Sequence, residues 1–176
     1  MIVESSVVVP IPPGTAFAVS QTTGETRLRW DPFIRRQAFL DDATAPAKGV
    51  RTLTRHRSGL RMVSEYVSYQ PPTNVGMKMV EGPWFFAVMA GGWRFTALPD
   101  GGTKAVWRYS FTCRPHWLAP VAERIGRIVL KRDIDRRIAG FARGCADPVV
   151  LAAVGGPGLR SEDPPHPATL DPRESP

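Results

Sequence analysis

The chain has 176 residues, of which 43% are hydrophobic and 22% charged, a composition typical of one globular domain with its own core. No apolar run reaches the roughly 18 residues of a transmembrane helix, and the first residues lack the basic start and apolar stretch of a signal peptide. The net charge of +7 would suit a nucleic acid, an anionic membrane or an anionic ligand, but it does not select among them.

The beginning of the chain predicts one strand followed by two short helices. Residues 2–9 are a β-branched run, which is typical of a strand. Prolines end that run, and Pro13 suits the first turn of a helix predicted at 14–20. A threonine pair and Gly24 interrupt this helix, and a second one is predicted at 25–30.

Six more strands are predicted in series after the helices. We place them at residues 33–41, 50–57, 60–69, 74–80, 92–98 and 103–113. Short turns rich in Gly, Pro and Asp separate several of them. Consecutive strands that are joined by short turns pair antiparallel, so we expect one antiparallel sheet of seven strands.

The predicted domain ends with one long helix. Residues 116–145 contain few helix breakers, so we predict a helix of several turns. Residues 146–176 are rich in Pro, Gly and acidic residues and are predicted to be a disordered tail, which leaves 1–145 as the domain. Only this helix is available to cover the concave face of the sheet. We therefore predict an α+β fold in which a curved sheet and a long C-terminal helix enclose an apolar cavity.

This order of elements, with four sequence segments, resembles the START-like superfamily, also called the helix-grip or birch-pollen-allergen fold. The segments are VVVPIPPGTAF, WDPFI, EYVSYQPP and EGPWFFAVMAGGWRFTALPDGGTKAVWRYSF. The resemblance covers roughly residues 2–143 and is strongest to the polyketide cyclase/dehydrase branch. The last segment is similar to coenzyme Q-binding proteins and to their relatives among bacterial ribosome-association toxins. The resemblance implies a fold rather than a reaction, because the superfamily contains carriers, cyclases and sensors.

Alternation along the predicted strands indicates which side chains face the helix. The charge-free rows give nine candidates for a ligand-binding wall: Met62, Tyr66, Met77, Met79, Trp93, Phe95, Trp107, Tyr109 and Phe111. Such a wall suits a flat or oily ligand held by a few hydrogen bonds. The alternative is that these side chains simply fill a solid core, and this reading is favoured for Trp107 and Phe111.

Four polar side chains of these rows are the candidates for catalysis, namely Tyr66, Tyr109, His56 and Ser64. None belongs to a recognisable catalytic triad or carboxylate pair. Cys113 and Cys145 do not form a CxxC pair, so no metal site is expected. No glycine-rich stretch has the setting of a phosphate-binding loop, and no cofactor is predicted. Two thiols without an export signal indicate the cytoplasm.

The long helix carries two apolar stripes that a straight helix on one sheet does not explain. The first comprises Leu118, Val121, Ile125 and Val129, and the second comprises Leu130, Ile134, Ile138 and Phe141. Basic side chains such as Arg127, Lys131 and Arg137 crowd the same helix. A bend, a second packing partner or a membrane-touching end would explain both stripes, and we predict that the second stripe and its basic neighbours touch an anionic membrane. The alternative is an ordinary solvated face, in which the basic residues alternate with acidic ones.

The leading interpretation is a carrier or binding protein for a small hydrophobic molecule such as a lipid, a quinone or a polyketide. The second is a polyketide aromatase/cyclase or dehydratase, because such relatives act mainly by shaping the substrate. The third is a ribosome- or RNA-associated factor, which only the resemblance to the toxins and the basic charge support. Nucleic acid is therefore not the expected partner.

Overall fold

Seven strands and four helices follow one another along residues 1–115 and 117–155, the part of the chain that the computed structural model describes. They are β1 (Ile2–Val9), α1 (Pro13–Ser20), α2 (Gly24–Trp30), β2 (Ile34–Phe39), β3 (Arg51–His56), β4 (Arg61–Gln70), β5 (Asn74–Glu81), β6 (Phe86–Ala97), β7 (Thr103–Cys113), α3 (Ala119–Gly144) and α4 (Pro148–Val154). None of the helices in these two ranges is long and apolar enough to cross a membrane.

The seven strands form one antiparallel sheet in the order β1-β7-β6-β5-β4-β3-β2, which confirms the predicted pairing of consecutive strands. One strand is longer than predicted, because β6 begins at Phe86 rather than at residue 92 and runs through Gly91 and Gly92. A Cβ atom at Gly92 would overlap the backbone carbonyl of Val75 on β5. This glycine is therefore needed for the close approach of two strands rather than for a turn.

The predicted alternation of side chains is confirmed in the central strands. Trp107, Tyr109 and Phe111 on β7 are buried, while the residues between them point to solvent. Bulky side chains from α3 cover this face of the sheet. The ring of Phe141, for example, has its centroid 4.6 Å from that of Trp93. The C-terminal half of α3 and the sheet thus form a solid core.

Helix α4 lies inside the segment that the sequence predicts to be a disordered tail, so the predicted domain boundary at residue 145 is too early. Asp147 caps the helix, since its carboxylate accepts a hydrogen bond of 2.9 Å from the backbone N–H of Val149. Val150 is fully buried and Val154 nearly so, and α4 contacts both α1 and α2. The short apolar run of α4 was hidden by the composition of the longer segment. Residues 156–176 of the predicted tail lie outside the described residues.

Candidate ligand cavity

An apolar cavity of about 570 Å³ lies at one end of the sheet, between the sheet and the N-terminal half of α3. We call it the ligand cavity. The helix contributes Leu118, Val121, Ala122, Ile125, Gly126, Val129, Leu130 and Asp133. The strands and loops contribute Phe33, Thr54, His56, Leu60, Arg61, Met62, Pro83, Phe85, Phe86, Met89 and Cys113. Most of these side chains are apolar, so the cavity suits a hydrophobic molecule.

The helical wall is the first apolar stripe of α3. Its members recur every three or four residues and therefore share one face of the helix. Leu118, Val121, Ile125 and Val129 are 40%, 58%, 58% and 52% exposed, respectively, although all four are aliphatic. At about 1.5 Å per residue, the wall from Leu118 to Leu130 is about 18 Å long. An apolar stripe that stays exposed on this scale is typical of a binding surface rather than of a finished core.

The two stripes of α3 have different roles, which explains why one helix carries both. The second stripe, Leu130, Ile134, Ile138 and Phe141, is at most 8% exposed and packs into the core. The sequence-based prediction that this stripe touches a membrane is therefore wrong, because its side chains are buried against the sheet. The first stripe occupies the end of α3 where the core stops and the cavity begins.

His56 and Thr54 are the polar residues of β3 that line the ligand cavity. Nδ1 of His56 accepts a hydrogen bond of 3.0 Å from the backbone N–H of Ser58 and lies 2.6 Å from the hydroxyl of that serine. In the neutral ring the proton is then on Nε2, which can donate a hydrogen bond. The ring of Phe33 packs edge-on against the imidazole of His56, with 4.3 Å between the two ring centroids. His56 is thus oriented as a donor at the cavity wall.

Two small voids adjoin the ligand cavity in turn, and each shares lining residues with the next. The outer void, about 50 Å³, shares Phe33, Thr54, Met62 and Met89 with the cavity. The inner void, about 30 Å³, shares Gln37, Met77, Trp107 and Arg137 with the outer one. Each could hold one or a few water molecules. A series of spaces therefore leads from the cavity to Arg137.

A buried cluster of three charges lies at the end of this series. The carboxylate Oδ2 of Asp31 is 2.9 Å from Nε of Arg27 and 3.0 Å from Nη2 of Arg137. All three side chains are at most 6% exposed. Nη1 of Arg137 also donates to the hydroxyl of Tyr109 at 3.3 Å, and Arg27 donates to the carbonyl of Ser20.

The guanidinium of Arg137 also lies against aromatic rings. Its central carbon is 4.2 Å from the ring centroid of Trp107 and 5.2 Å from that of Phe33. These cation–π contacts partly replace the hydration that the buried charge has lost. Phe33 therefore separates the charge cluster from the ligand cavity, and its ring touches both.

The cluster keeps its charges at neutral pH. Burial lowers the pKa of Arg27 to about 10, an effect that Asp31 opposes and the positive charge of Arg137 reinforces. Burial alone would raise the pKa of Asp31, but Arg137 and Arg27 outweigh it, and the pKa is lowered. At Arg137 burial acts to lower the pKa, but Asp31 and Tyr109 outweigh it, and the pKa is raised. Two positive charges thus surround one negative charge.

Of the predicted wall residues, only Met62 lines the ligand cavity itself. Met77, Met79, Trp107 and Tyr109 line the outer void, and Tyr66 lines the inner one. Trp93, Phe95 and Phe111 lie in the core, where Trp93 and Phe95 contact Phe141, and Trp93 also lines the inner void. The inward direction of these side chains was predicted correctly. The space in front of them, however, is filled by the C-terminal half of α3.

The four catalytic candidates do not come together at one point. His56 lines the ligand cavity, and Ser64 and Tyr109 line the outer void. Tyr66 lies at the inner void, with its hydroxyl 3.4 Å from Oε1 of Gln21. Burial raises the pKa of both tyrosines, that of Tyr66 to about 12. At neutral pH they are therefore hydrogen-bond donors and not bases.

Sequence reasoning missed most of the actual cavity wall. The missed residues are those of the first α3 stripe, together with Phe33, Leu60, Phe85, Phe86 and Met89. One signal for them was present, since one sheet could not cover both apolar stripes of α3, but we expected the second stripe rather than the first to lie off the sheet. Within residues 1–115 and 117–155, no group of three or more His, Cys, Asp or Glu side chains could hold a metal ion. The absence of a cofactor remains a prediction.

The comparisons with known proteins agree with this architecture. The model of a family described as "Polyketide cyclase / dehydrase and lipid transport" matches residues 1–145. No curated protein matches the chain in sequence.

Solved structures share the fold at low sequence identity. The aromatase/cyclase Zhui from a Streptomyces species has a TM-score of 0.69 and 16% identity, covering 85% of this chain and 95% of its own. A Thermus thermophilus protein has a TM-score of 0.66 and 14% identity, with coverage of 87% and 99%. A START superfamily protein from Mycobacterium smegmatis has a TM-score of 0.62 and 12% identity, with coverage of 81% and 97%. At these identities the likeness shows a shared fold.

Proposed function

Since the chain belongs to the polyketide cyclase/dehydrase and lipid-transport family, we propose that it binds a small hydrophobic molecule in the ligand cavity. A lipid, a quinone or a polyketide-like compound has the required chemistry. The observation that carries the proposal is the cavity of about 570 Å³ whose helical wall is an aliphatic stripe more than one-third exposed. Its volume lies within the roughly 300–1,000 Å³ typical of ligand pockets.

The energetics favour an apolar occupant. Val121, Ile125 and Val129 are each more than half exposed, so a ligand that covered them would remove their aliphatic surface from water. Such burial is worth about 25 cal/mol per Å² of apolar area. The methionines at the inner end, Met62 and Met89, have flexible side chains and can adapt to the shape of the ligand.

Two measurements test this proposal. Native mass spectrometry of the purified protein should detect a co-purified apolar molecule that denaturation releases. Titration with the neutral dye N-phenyl-1-naphthylamine should give a saturable rise in fluorescence with one dye per chain. If neither a co-purified molecule nor saturable dye binding were found, the proposal would be wrong, and the cavity would be a packing defect of the fold.

A second candidate function is cyclisation or dehydration of a polyketide-like substrate. The observation that favours it is the position of His56 and Tyr109, two hydrogen-bond donors that line the cavity and the outer void. Donors at these places could stabilise a developing enolate oxygen during ring closure. The test is formation of an aromatic product from a poly-β-ketone thioester, followed by absorbance. If these two donors act, His56→Gln and Tyr109→Phe should each slow product formation at least about tenfold. Unchanged rates would exclude both side chains as catalytic donors.

We also propose peripheral contact of the cavity rim with an anionic membrane, now through the N-terminal half of α3. Trp117 and Trp84 are 81% and 74% exposed and stand beside the lining residues Leu118 and Phe85. Tryptophan at a rim is typical of a membrane interface. Four basic side chains of the same helix, Arg124, Arg127, Lys131 and Arg132, line one shared groove on its surface. Each basic residue near an anionic surface adds about 1 kcal/mol of attraction.

Vesicle binding tests this contact. The protein should sediment with phosphatidylserine vesicles more than with phosphatidylcholine vesicles, and less so at high salt. Trp117→Ala should weaken the binding, whereas Val149→Ala, which changes an exposed side chain on α4, should not. Equal and negligible binding to both vesicles would contradict the contact, and stronger binding to RNA would favour the nucleic-acid alternative.

The cytoplasmic location of the protein also remains a prediction.

A further inference from the structure

We propose that the ligand carries a carboxylate and that this carboxylate binds the guanidinium of Arg137 at the inner end of the voids. This inference rests on the proposed function, because it names the ligand class of the same cavity. It makes the preferred ligand an amphiphilic acid, whose chain lies along the first α3 stripe. A fatty acid and an acidic polyketide share this chemistry.

The first argument is an excess of buried positive charge. Arg27, Arg137 and Asp31 are each at most 6% exposed, and they carry two positive charges and one negative charge. Within residues 1–115 and 117–155, the only carboxylate that forms an ion pair with either arginine is that of Asp31. An uncompensated buried charge is costly, so proteins pair such charges. A ligand carboxylate would supply the missing negative charge.

The second argument is access from the cavity. Arg137 is one helical turn beyond Asp133, the last residue of α3 that lines the ligand cavity, and so about 6 Å farther along the helix. The outer void shares Met62 and Met89 with the ligand cavity, and Arg137 lines it as well. The flexible side chains of these methionines can move aside for a ligand chain. The voids therefore mark a path with a cation at its end.

The third argument is unused hydrogen-bonding capacity. The guanidinium of Arg137 has five N–H groups, and its contacts to Asp31 and Tyr109 do not use all of them. Trp93 also lines the inner void, and its indole N–H is buried without an acceptor among residues 1–115 and 117–155. Buried donors are normally paired. Donors around an unfilled space suit an anionic oxygen.

Competition for the neutral dye N-phenyl-1-naphthylamine tests the inference with three ligands of the same chain length. We expect laurate to displace the dye from the wild-type protein at a concentration at least tenfold lower than dodecanol or methyl laurate. In Arg137→Met, laurate should lose its advantage and displace the dye at about the same concentration as the two neutral ligands. The reason is that the remaining charges, Asp31 and Arg27, form a neutral pair with no positive charge left for the carboxylate. Arg127→Met, on the exposed side of the same helix, should keep the preference.

Salt provides a second test that needs no variant. A carboxylate on the buried Arg137 should keep its preference in 1 M NaCl, whereas a carboxylate on rim arginines should lose it through screening. Equal displacement by the three ligands, or a preference that Arg137→Met retains or that salt abolishes, would overturn the inference and leave the hydrophobic cavity intact. Absence of dye binding itself would overturn the proposed function and the inference together.

Discussion

The carboxylate of Asp31 lies 3.0 Å from Nη2 of Arg137, and this contact joins the end of α2 to α3 across 106 positions of the chain. Arg27 binds the same carboxylate oxygen. Oδ1 of Asp31 also accepts a hydrogen bond from the backbone N–H of Phe33. Phe33 is the residue that lies between the charge cluster and the cavity. The position of the cavity's inner end therefore depends on Asp31.

Asp31→Asn should lower the free energy of unfolding by roughly 3–5 kcal/mol, because two buried guanidinium groups would lose their shared anion. Denaturant unfolding measures the change. Asp41→Asn is the matched control, since Asp41 also pairs with an arginine, Arg51, but both side chains are more than 40% exposed. The control should change stability by less than about 1 kcal/mol. Equal effects of the two substitutions would show that the buried cluster has no special role.

The same carboxylate predicts a pH dependence. The pKa of Asp31 is lowered in the folded protein, because its two arginines outweigh the effect of burial. Its contribution to stability is therefore complete above the unfolded pKa, about 3.9, and is lost as the pH falls through the lower folded value. The stability difference between wild type and Asp31→Asn should stay constant from pH 7 to about pH 5 and shrink below about pH 4. A difference that did not shrink in acid would contradict this assignment.

Helix α3 approaches α2 through glycines. A Cβ atom at Gly140 would overlap the carbonyl oxygen of Trp30, whereas one at Gly14 would have no neighbour within 4 Å. Gly140→Ala should therefore destabilise the protein by about 2 kcal/mol, although alanine normally favours a helix interior. Gly14→Ala should be neutral or slightly stabilising. Thermal unfolding distinguishes the two, and a stabilising Gly140→Ala would contradict the close approach.

Helix α4 should contribute to the stability of the domain. Val150 is fully buried and the adjacent Val149 is 55% exposed, so the pair offers a matched test. Val150→Ala should cost about 2 kcal/mol and Val149→Ala less than about 0.5 kcal/mol. Similar small effects of both substitutions, measured by denaturant unfolding, would mean that α4 does not dock on the domain.

The sequence predicted the fold well because its signals are local. Alternation in β7 correctly placed Trp107, Tyr109 and Phe111 on the buried face, and the turns correctly predicted antiparallel neighbours. Helix α4 was missed because its apolar run is short and lies in a segment rich in Pro and Gly. Its stability comes from tertiary contacts of Val150, which no local pattern contains.

The cavity was predicted less well, because an inward direction does not say what lies in front of a side chain. Trp93 and Phe95 point inward as predicted, but Phe141 fills the space before them. Arg137 was assigned to a basic surface, although it lies in the core with Asp31. The pairing of two residues so far apart in sequence has no local signal. The presence of two apolar stripes on α3, which one sheet could not both cover, was the best available indication of the cavity.

The most direct test of the central claim compares two aspartate substitutions on α3. Ile125 lines the ligand cavity and is 58% exposed, whereas Ile128 is 61% exposed and does not line it. Both variants should therefore fold with similar stability. In titrations with N-phenyl-1-naphthylamine, Ile125→Asp should weaken binding at least about tenfold, since a charge would face the apolar dye, and Ile128→Asp should bind it like the wild type. Equal affinity in both variants would contradict the proposal that this cavity holds the ligand.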